Sequence, residues 1–438
     1  MQNKINIGLI GAGTVGGGTY KILKENFSEI FRKTGKEIIV FALAEKDLKR
    51  AKEIVDDKTI VYEDAFDIVK DKNIHVIIEL IGGTGVSKNL VEEAIKNNKH
   101  VITANKALIA MHGEELVSLA REHNVNLAYE AAVAGGIPII KSVREGLAGN
   151  KIEWIVGILN GTTNYILTEM KENNLAFDVA LKQAQDLGFA EADPSFDIEG
   201  VDAAHKITIL ASIAFGIPIN FNAVHIEGIS NLEQKDIIFA EEIGYKIKLL
   251  GITKHHHDSV ELRVHPTLIP EKKLVANVDG PMNAVLVQGN MVGPTLYYGA
   301  GAGAEPTASA VVADIIDLAR NLESTSTTHI PILGFIKDEI KPKKILLIED
   351  ITSEFYLRFS MQNESGVVEK IKQVFELHSI GIGVIVQKEI KKDDGIIDII
   401  LVTSNIIEKN INEIINEIEV MPENKNKIVK LRIEQLNS

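Results

Sequence analysis

A short aliphatic run from Lys4 to Ile10 passes without a break into Gly11-Ala12-Gly13-Thr14-Val15-Gly16 and then into a helical pattern reaching about Phe31. Strand, glycine turn and helix in that order leave little choice of fold. The first glycine permits a tight turn, the second lets backbone approach a pyrophosphate, and the third lets helix pack on strand. The helix N-terminus offers free amides to the phosphates. Gly11, Gly13, Thr14, Val15 and Gly16 are therefore expected to hold a dinucleotide at the edge of a doubly wound parallel sheet. The competing reading is a glycine-rich turn with a structural role alone.

Composition agrees with buried parallel strands: the chain is 45% hydrophobic and only 5% aromatic. Its 438 residues exceed one ordinary core, so two or three domains are expected. A formal net charge of −14 and a pI near 5.4 argue against nucleic acid and anionic membrane as partners, since both require a basic surface. Cysteine is absent, which excludes disulfides and thiolate metal sites. No apolar run has membrane-spanning length, and the Met-Gln-Asn-Lys start lacks the apolar core of a signal peptide. A cytoplasmic protein is the expectation.

The second strand, Glu37 to Ala44, runs into Glu45-Lys46-Asp47, where the adenosine ribose should lie. An acid there suits the ribose hydroxyls of NAD and a cation the 2′-phosphate of NADP. Lys46, with Lys49 and Arg50, tilts the reading toward NADP. Further strands end in Gly82-Gly83-Thr84-Gly85 and in Thr103-Ala104-Asn105-Lys106. Ligands collect beyond the carboxyl ends of such strands, so Thr103, Asn105 and Lys106 are expected to face the crevice. A strand from Leu127 to Ala132 carries Glu130 into Val133-Ala134-Gly135-Gly136-Ile137-Pro138, a turn able to aim carbonyl oxygens at a hard cation.

From about Lys151 the pattern changes to strands and helices of a second unit, and within it lies the densest chemistry. Glu191, Asp193, Asp197, Glu199, Asp202 and Lys206 crowd around Pro194, which stops one helix, and Gly200, which precedes the next. Asp202 and Lys206 fall four apart on one helical face. Such an acid and amine could bind a zwitterionic substrate and move a proton beside it, or form only a surface ion pair. His255-His256-His257 reads as an exposed hairpin tip, and Gly299 to Thr307 as a second glycine-rich loop leading back toward the cofactor. Ser324 to Pro342, weakly patterned, reads as linker. Beyond it, strand, helix, two strands, helix and strand follow in ferredoxin-like order, suited to binding or dimerisation.

Ala184, Gly188-Phe189-Ala190, Asp193-Pro194, Asp197-Ile198, Gly200, Asp202 and Lys206, with Glu79-Leu80-Ile81-Gly82-Gly83, Thr103-Ala104-Asn105-Lys106 and Gly157-Ile158-Leu159-Asn160-Gly161-Thr162-Thr163-Asn164, resemble the homoserine dehydrogenases over essentially the whole chain. The C-terminal unit is similar to an ACT domain. The resemblance implies NAD- or NADP-dependent interconversion of L-aspartate 4-semialdehyde and L-homoserine, on the route to threonine and methionine. It implies that Lys206 is the acid/base residue, that Lys106 assists, and that Glu191, Asp197 and Asp202 hold substrate. Gly188 and Gly303 map to cofactor contacts, and Glu130, Val133, Gly135 and Ile137 to a structural sodium or potassium site. The implied α/β architecture is a Rossmann domain at 1–135 with about 300–322, an α+β catalytic and dimerisation domain at 136–300, a linker at 323–343 and a ferredoxin-like ACT domain at 344–438. A homodimer or homotetramer is implied.

Two departures keep alternatives open. Glu45-Lys46 stands where NADP-preferring members often carry arginine, and Asn363-Glu364-Ser365-Gly366 lacks the aspartate and proline usual in the ACT turn. Threonine sensing and simple subunit pairing are therefore rival roles for that unit. A sensor on a silent dehydrogenase scaffold and a sugar or aldehyde reductase are the alternative functions, because fold alone does not fix substrate.

Overall fold

Seven residues rich in isoleucine and leucine, Lys4–Ile10, form the centre of the first sheet (β1), followed in the chain by Glu37–Ala44 (β2), Ile60–Tyr62 (β3), Val76–Glu79 (β4), His100–Thr103 (β5) and Leu127–Ala128 (β6). The computed structural model describes residues 4–322, 330–389 and 395–437. All neighbours in this sheet are parallel, in the order β3-β2-β1-β4-β5-β6. The order reverses between β1 and β4, which opens a crevice at their carboxyl ends. The glycine turn sits there. Gly11 has φ +100°, and a Cβ on Gly16 would stand 2.0 Å from the Gly11 carbonyl oxygen, so strand and helix Thr14–Glu25 meet only through glycine. The chain leaves this domain after β6 and returns as helix Ala304–Asn321, which lies against Gly18 so closely that a Cβ there would be 2.7 Å from the Ala304 oxygen.

The second sheet runs Gly293–Ala300, Met282–Gly289, Ile152–Ile158, Tyr245–His255, Ser259–Pro270, Val429–Ile433, Thr352–Gln362, Ile396–Thr403, Ile382–Glu389. Helix Val201–Phe215 crosses the strands 152–158, 245–255 and 259–270. It is buried along nearly its whole length, so its polar residues are costly unless partnered. His255 to Ser259 form the tip of a hairpin, where the His257 side chain is 96% exposed.

The last four long strands are antiparallel neighbours with their fourth member, Val429–Ile433, outermost on the side of strand Ser259–Pro270. That strand also pairs in parallel with Ser259–Pro270, through Thr267 with Arg432 and Leu268 with Ile433. The sheet is therefore continuous across the expected linker. Residues 323–329 of that linker lie outside the described residues. Within its remainder one short piece is packed: Leu333 is 1% exposed, and the Tyr129 hydroxyl donates to the Ile332 carbonyl at 3.0 Å, whereas residues 336–339 are exposed.

Arginines seal the same junction. Arg358, 2% exposed, donates to both oxygens of the fully buried Asp236 at 2.6 and 3.0 Å and to Glu233 at 2.8 Å. Arg263 pairs with Glu261 and Glu434.

Candidate active site

Gly200, at φ +83°, turns the chain into helix Val201–Phe215 and sets Asp202 and Lys206 on one face. This is no surface pair, for Asp202 is 3% and Lys206 7% exposed. Lys206 Nζ donates to Asp202 Oδ2 at 2.7 Å and to the Leu159 carbonyl at 2.6 Å. The other oxygen, Asp202 Oδ1, lies 3.0 Å from Lys106 Nζ. Lys106 arrives from the first residue of helix Lys106–Glu122, whose N-cap Asn105 accepts from Leu108 N. Its ammonium also stands 5.8 Å from the Phe196 ring centroid.

Asn160 caps helix Gly161–Glu172 through Oδ1. Its Nδ2 donates to Asp197 Oδ1 at 2.7 Å and Asp202 Oδ2 at 2.8 Å, tying the two carboxylates together. An asparagine can do both because it carries acceptor and donors.

The electrostatics follow from burial and these partners. Burial pushes the Asp202 carboxyl up, but Lys206, Lys106 and Asn160 outweigh it and hold it below the usual range. Burial lowers the Lys206 ammonium, Lys106 lowers it further, and Asp202 opposes both. Attraction to Asp202 raises Lys106 against its own burial. Asp197 is raised by burial and by Asp202. The arrangement sets an amine whose proton is loosened beside another whose proton is held more firmly.

The cluster opens into a cleft of about 740 Å³. Thr14, Val15 and Gly303 line it at the glycine turns, Gly188 and Glu191 at the flank, and Asp197, Asp202 and Lys206 at the base. The two glycine turns and the charged cluster thus share one cavity.

Two family models match the chain: "Homoserine dehydrogenase, NAD binding domain" over residues 11–130 and "Homoserine dehydrogenase" over residues 138–316. The homoserine dehydrogenase of Neisseria gonorrhoeae is 49% identical over 433 residues, spanning 99% of both chains. The crystal structure of a homoserine dehydrogenase from Thiobacillus denitrificans superposes with a TM-score of 0.94 at 49% identity, again over 99% of each chain. A hyperthermophilic archaeal homoserine dehydrogenase, solved in complex with NADPH, matches 72% of this chain and 97% of its own at 27% identity and TM-score 0.61.

The chain belongs to the homoserine dehydrogenase family. As a homoserine dehydrogenase it is an NAD(P)-linked oxidoreductase acting on a CH–OH group, interconverting L-homoserine and L-aspartate 4-semialdehyde. Among the described residues no helix is long and apolar enough to cross a membrane.

Not every residue singled out from sequence reaches the homoserine dehydrogenase cleft. Thr103 is fully buried; its hydroxyl donates to Glu79 Oε2 at 2.6 Å, so it supports the crevice from behind. Glu79 is itself buried and accepts from the Ile81 and Gly82 amides, a shaping role its place in a motif did not disclose. Lys46 is exposed and outside the cleft lining. Its neighbour Glu45 faces inward, accepting from the Ala12 amide of the glycine turn at 2.8 Å.

Glu130 lies in a 3₁₀ turn, Glu130–Ala132, not on the expected strand, which ends at Ala128. Its amide donates out of the sheet, to Asp314 Oδ2 at 2.9 Å. Both Glu130 oxygens accept backbone bonds, from Ile140 and Lys141 at 3.0 and 2.8 Å. Burial, then Asp314, pushes this carboxyl up to about 8. Ala134 and Gly135 have φ of 56° and 49°, a tight reversal of the carbonyls in the loop that holds Val133 and Ile137.

Proposed function

We propose that Lys206 carries the proton in the homoserine dehydrogenase reaction. The observation behind this is the sharing of one buried carboxylate between two ammonium groups that burial and charge drive apart in acidity. Bound nicotinamide supplies the hydride to the aldehyde carbon, or takes it from the alcohol. Reduction builds negative charge on oxygen, which Lys206 stabilises and protonates. In reverse the neutral amine accepts the alcohol proton. Lys106, held in its charged form by Asp202, assists as a fixed positive charge. Glu191, Asp197 and Asp202 hold the substrate, whose ammonium group calls for carboxylates.

Cofactor contacts at Gly11, Gly13, Thr14, Val15, Gly16, Gly188 and Gly303 belong to this reading, and Glu45 with Lys46 leaves NAD and NADP both admissible. The NADPH held by the archaeal relative supports NADP. A structural sodium or potassium ion would take main-chain oxygens of Glu130, Val133, Gly135 and Ile137. The sharp carbonyl reversal at 134–135 suits it, and its charge would offset the adjoining buried carboxyls of Glu130 and Asp314. The Glu130 carboxylate itself already caps the 139–141 turn.

We read the C-terminal strands and helices as an ACT domain responding to threonine, in a cytoplasmic homodimer or homotetramer. The strand-helix-strand-strand-helix-strand order supports that reading. The deciding experiment follows NAD(P)H absorbance with L-aspartate 4-semialdehyde in the wild type and Lys206→Ala. Turnover lost with cofactor binding kept is expected; near-normal turnover would remove Lys206 from the role. Unchanged rates across ~1–10 mM threonine, a range typical of weak metabolite sites, would remove the effector.

A further inference from the structure

Arg432 stands on the last strand, 1% exposed. Its guanidinium donates to Glu227 at 2.8 and 2.9 Å and to Glu408 at 2.7 and 2.5 Å. Glu408 opens helix Glu408–Glu419 of the C-terminal unit, whereas Glu227 belongs to the catalytic half. One side chain thus ties a carboxylate from each. Arginine suits this role because its planar fork meets carboxylates bidentately and keeps its charge when buried.

Glu227 is followed by the residues on which the catalytic turn rests. A Cβ on Gly228 would lie 2.5 Å from the Ile198 oxygen and 2.6 Å from Glu199 Cα. The Ile229 amide donates to the Ile198 carbonyl at 2.8 Å, and Ser230 Oγ to the Glu199 carboxylate at 2.6 Å. From the other side, Gly200 sits against Val264, Ile226 and the Glu227 oxygen, which a Cβ would meet at 3.2 to 3.4 Å. The strip 226–230 is therefore the bed of the turn Ile198–Gly200. That turn separates Asp197 from Asp202, the two carboxylates bridged by Asn160.

We propose that Arg432 and Glu227 are positioning residues for substrate: by fixing the 226–230 strip they set the turn that aims Asp197 and Asp202 into the cleft. The seating of the C-terminal strand thereby becomes a determinant of substrate affinity. The cofactor end of the cleft is built mainly from the glycine turn of the first sheet and the start of the 304–321 helix, with Gly188 alone from the second unit, so its affinity is expected to follow little. This inference rests on the reading of Asp197 and Asp202 as substrate-holding groups.

The test uses the full chain, with steady-state kinetics for L-homoserine and fluorescence titration of NADPH and NADH. Glu227→Gln is expected to raise KM about ten-fold, with kcat and cofactor Kd changed less than about three-fold, and Arg432→Lys to fall between it and wild type. A folded Glu227→Gln with wild-type KM overturns the proposal, as does a parallel rise in KM and cofactor Kd, which marks general loss of structure. Should both variants fail to fold, Ser230→Ala decides, because it removes one bond from the strip and no buried charge. Its KM is expected to rise about two- to five-fold, and a wild-type value overturns the proposal. Asp197→Asn separates the two readings. If it leaves KM unchanged, the site assignment has failed; if it raises KM while Glu227→Gln does not, only the positioning role has.

Discussion

At the junction with the C-terminal strands, Arg358 meets both oxygens of fully buried Asp236, whereas in the cleft a single carboxylate, Asp202, is divided between Lys106 and Lys206. Burying charge is expensive in both places. At the junction the expense is met largely with forked, permanently charged guanidinium groups. In the cleft the cations are lysines, point charges whose protons can leave, and burial is used to loosen one of them. The difference suggests how to tell a structural ion pair from one placed for chemistry: in the cleft two lysines share one buried carboxylate, and the cluster opens onto a cavity.

The strongest way to break that contrast is Lys206→Ala. It should lower kcat by about 10²–10⁴ while leaving cofactor Kd unchanged, and a loss no greater than that of Lys106→Ala would make the two lysines equivalent. At the junction, Arg358→Met should cost about 3–5 kcal/mol by stranding Asp236, read as a lower urea midpoint. Pairing it with Asp236→Leu should restore most of the loss, and failure to restore it would mean that the pair does more than neutralise itself. The lysine contrast is sharpened by pH. With Lys206 as the proposed base, homoserine oxidation needs its neutral form, so kcat/KM should rise with pH through a midpoint below that of an ordinary lysine. Removing a neighbouring positive charge favours the protonated amine, so Lys106→Met should move the midpoint upward and Asp202→Asn downward. A midpoint indifferent to both changes would discard the coupling. The smallest effect is expected from Thr162→Val, which removes the bond to the Phe189 carbonyl at the cleft wall. It should cost about 1 kcal/mol, measured by thermal unfolding.

Much of this was legible in the sequence where local rules suffice. The glycine turn after Lys4–Ile10 is a local event, and so is the helix begun by Gly200, with Asp202 and Lys206 one turn apart. The longer reach of the same residues was not legible. Thr103 looked like a crevice residue because it ends a strand, yet its hydroxyl is taken by Glu79 from the neighbouring strand. Glu130 looked like part of a strand, yet its amide donates to Asp314, far along the chain. The weak pattern near Pro331 concealed two buried aliphatics, Ile332 and Leu333. Pairing of Val429–Ile433 with Ser259–Pro270 involves strands far apart in sequence, and no local signal announces it.

The departure of the chain from the nucleotide domain after β6 and its return as Ala304–Asn321 bear on how the molecule is made. Val311, Ile315 and Leu318 complete the same apolar cluster as Ile5, Ile7 and Leu9. On the ribosome, then, the first sheet emerges with one face covered only in part, by Leu23, Ile30 and Ala51, and the rest of its cover waits until the whole substrate half has been synthesised. At ~5–20 residues per second that interval is on the order of ten seconds. During it the nascent nucleotide domain presents an aliphatic surface to every chaperone in reach, so its yield in the cell depends on events that the finished enzyme no longer displays.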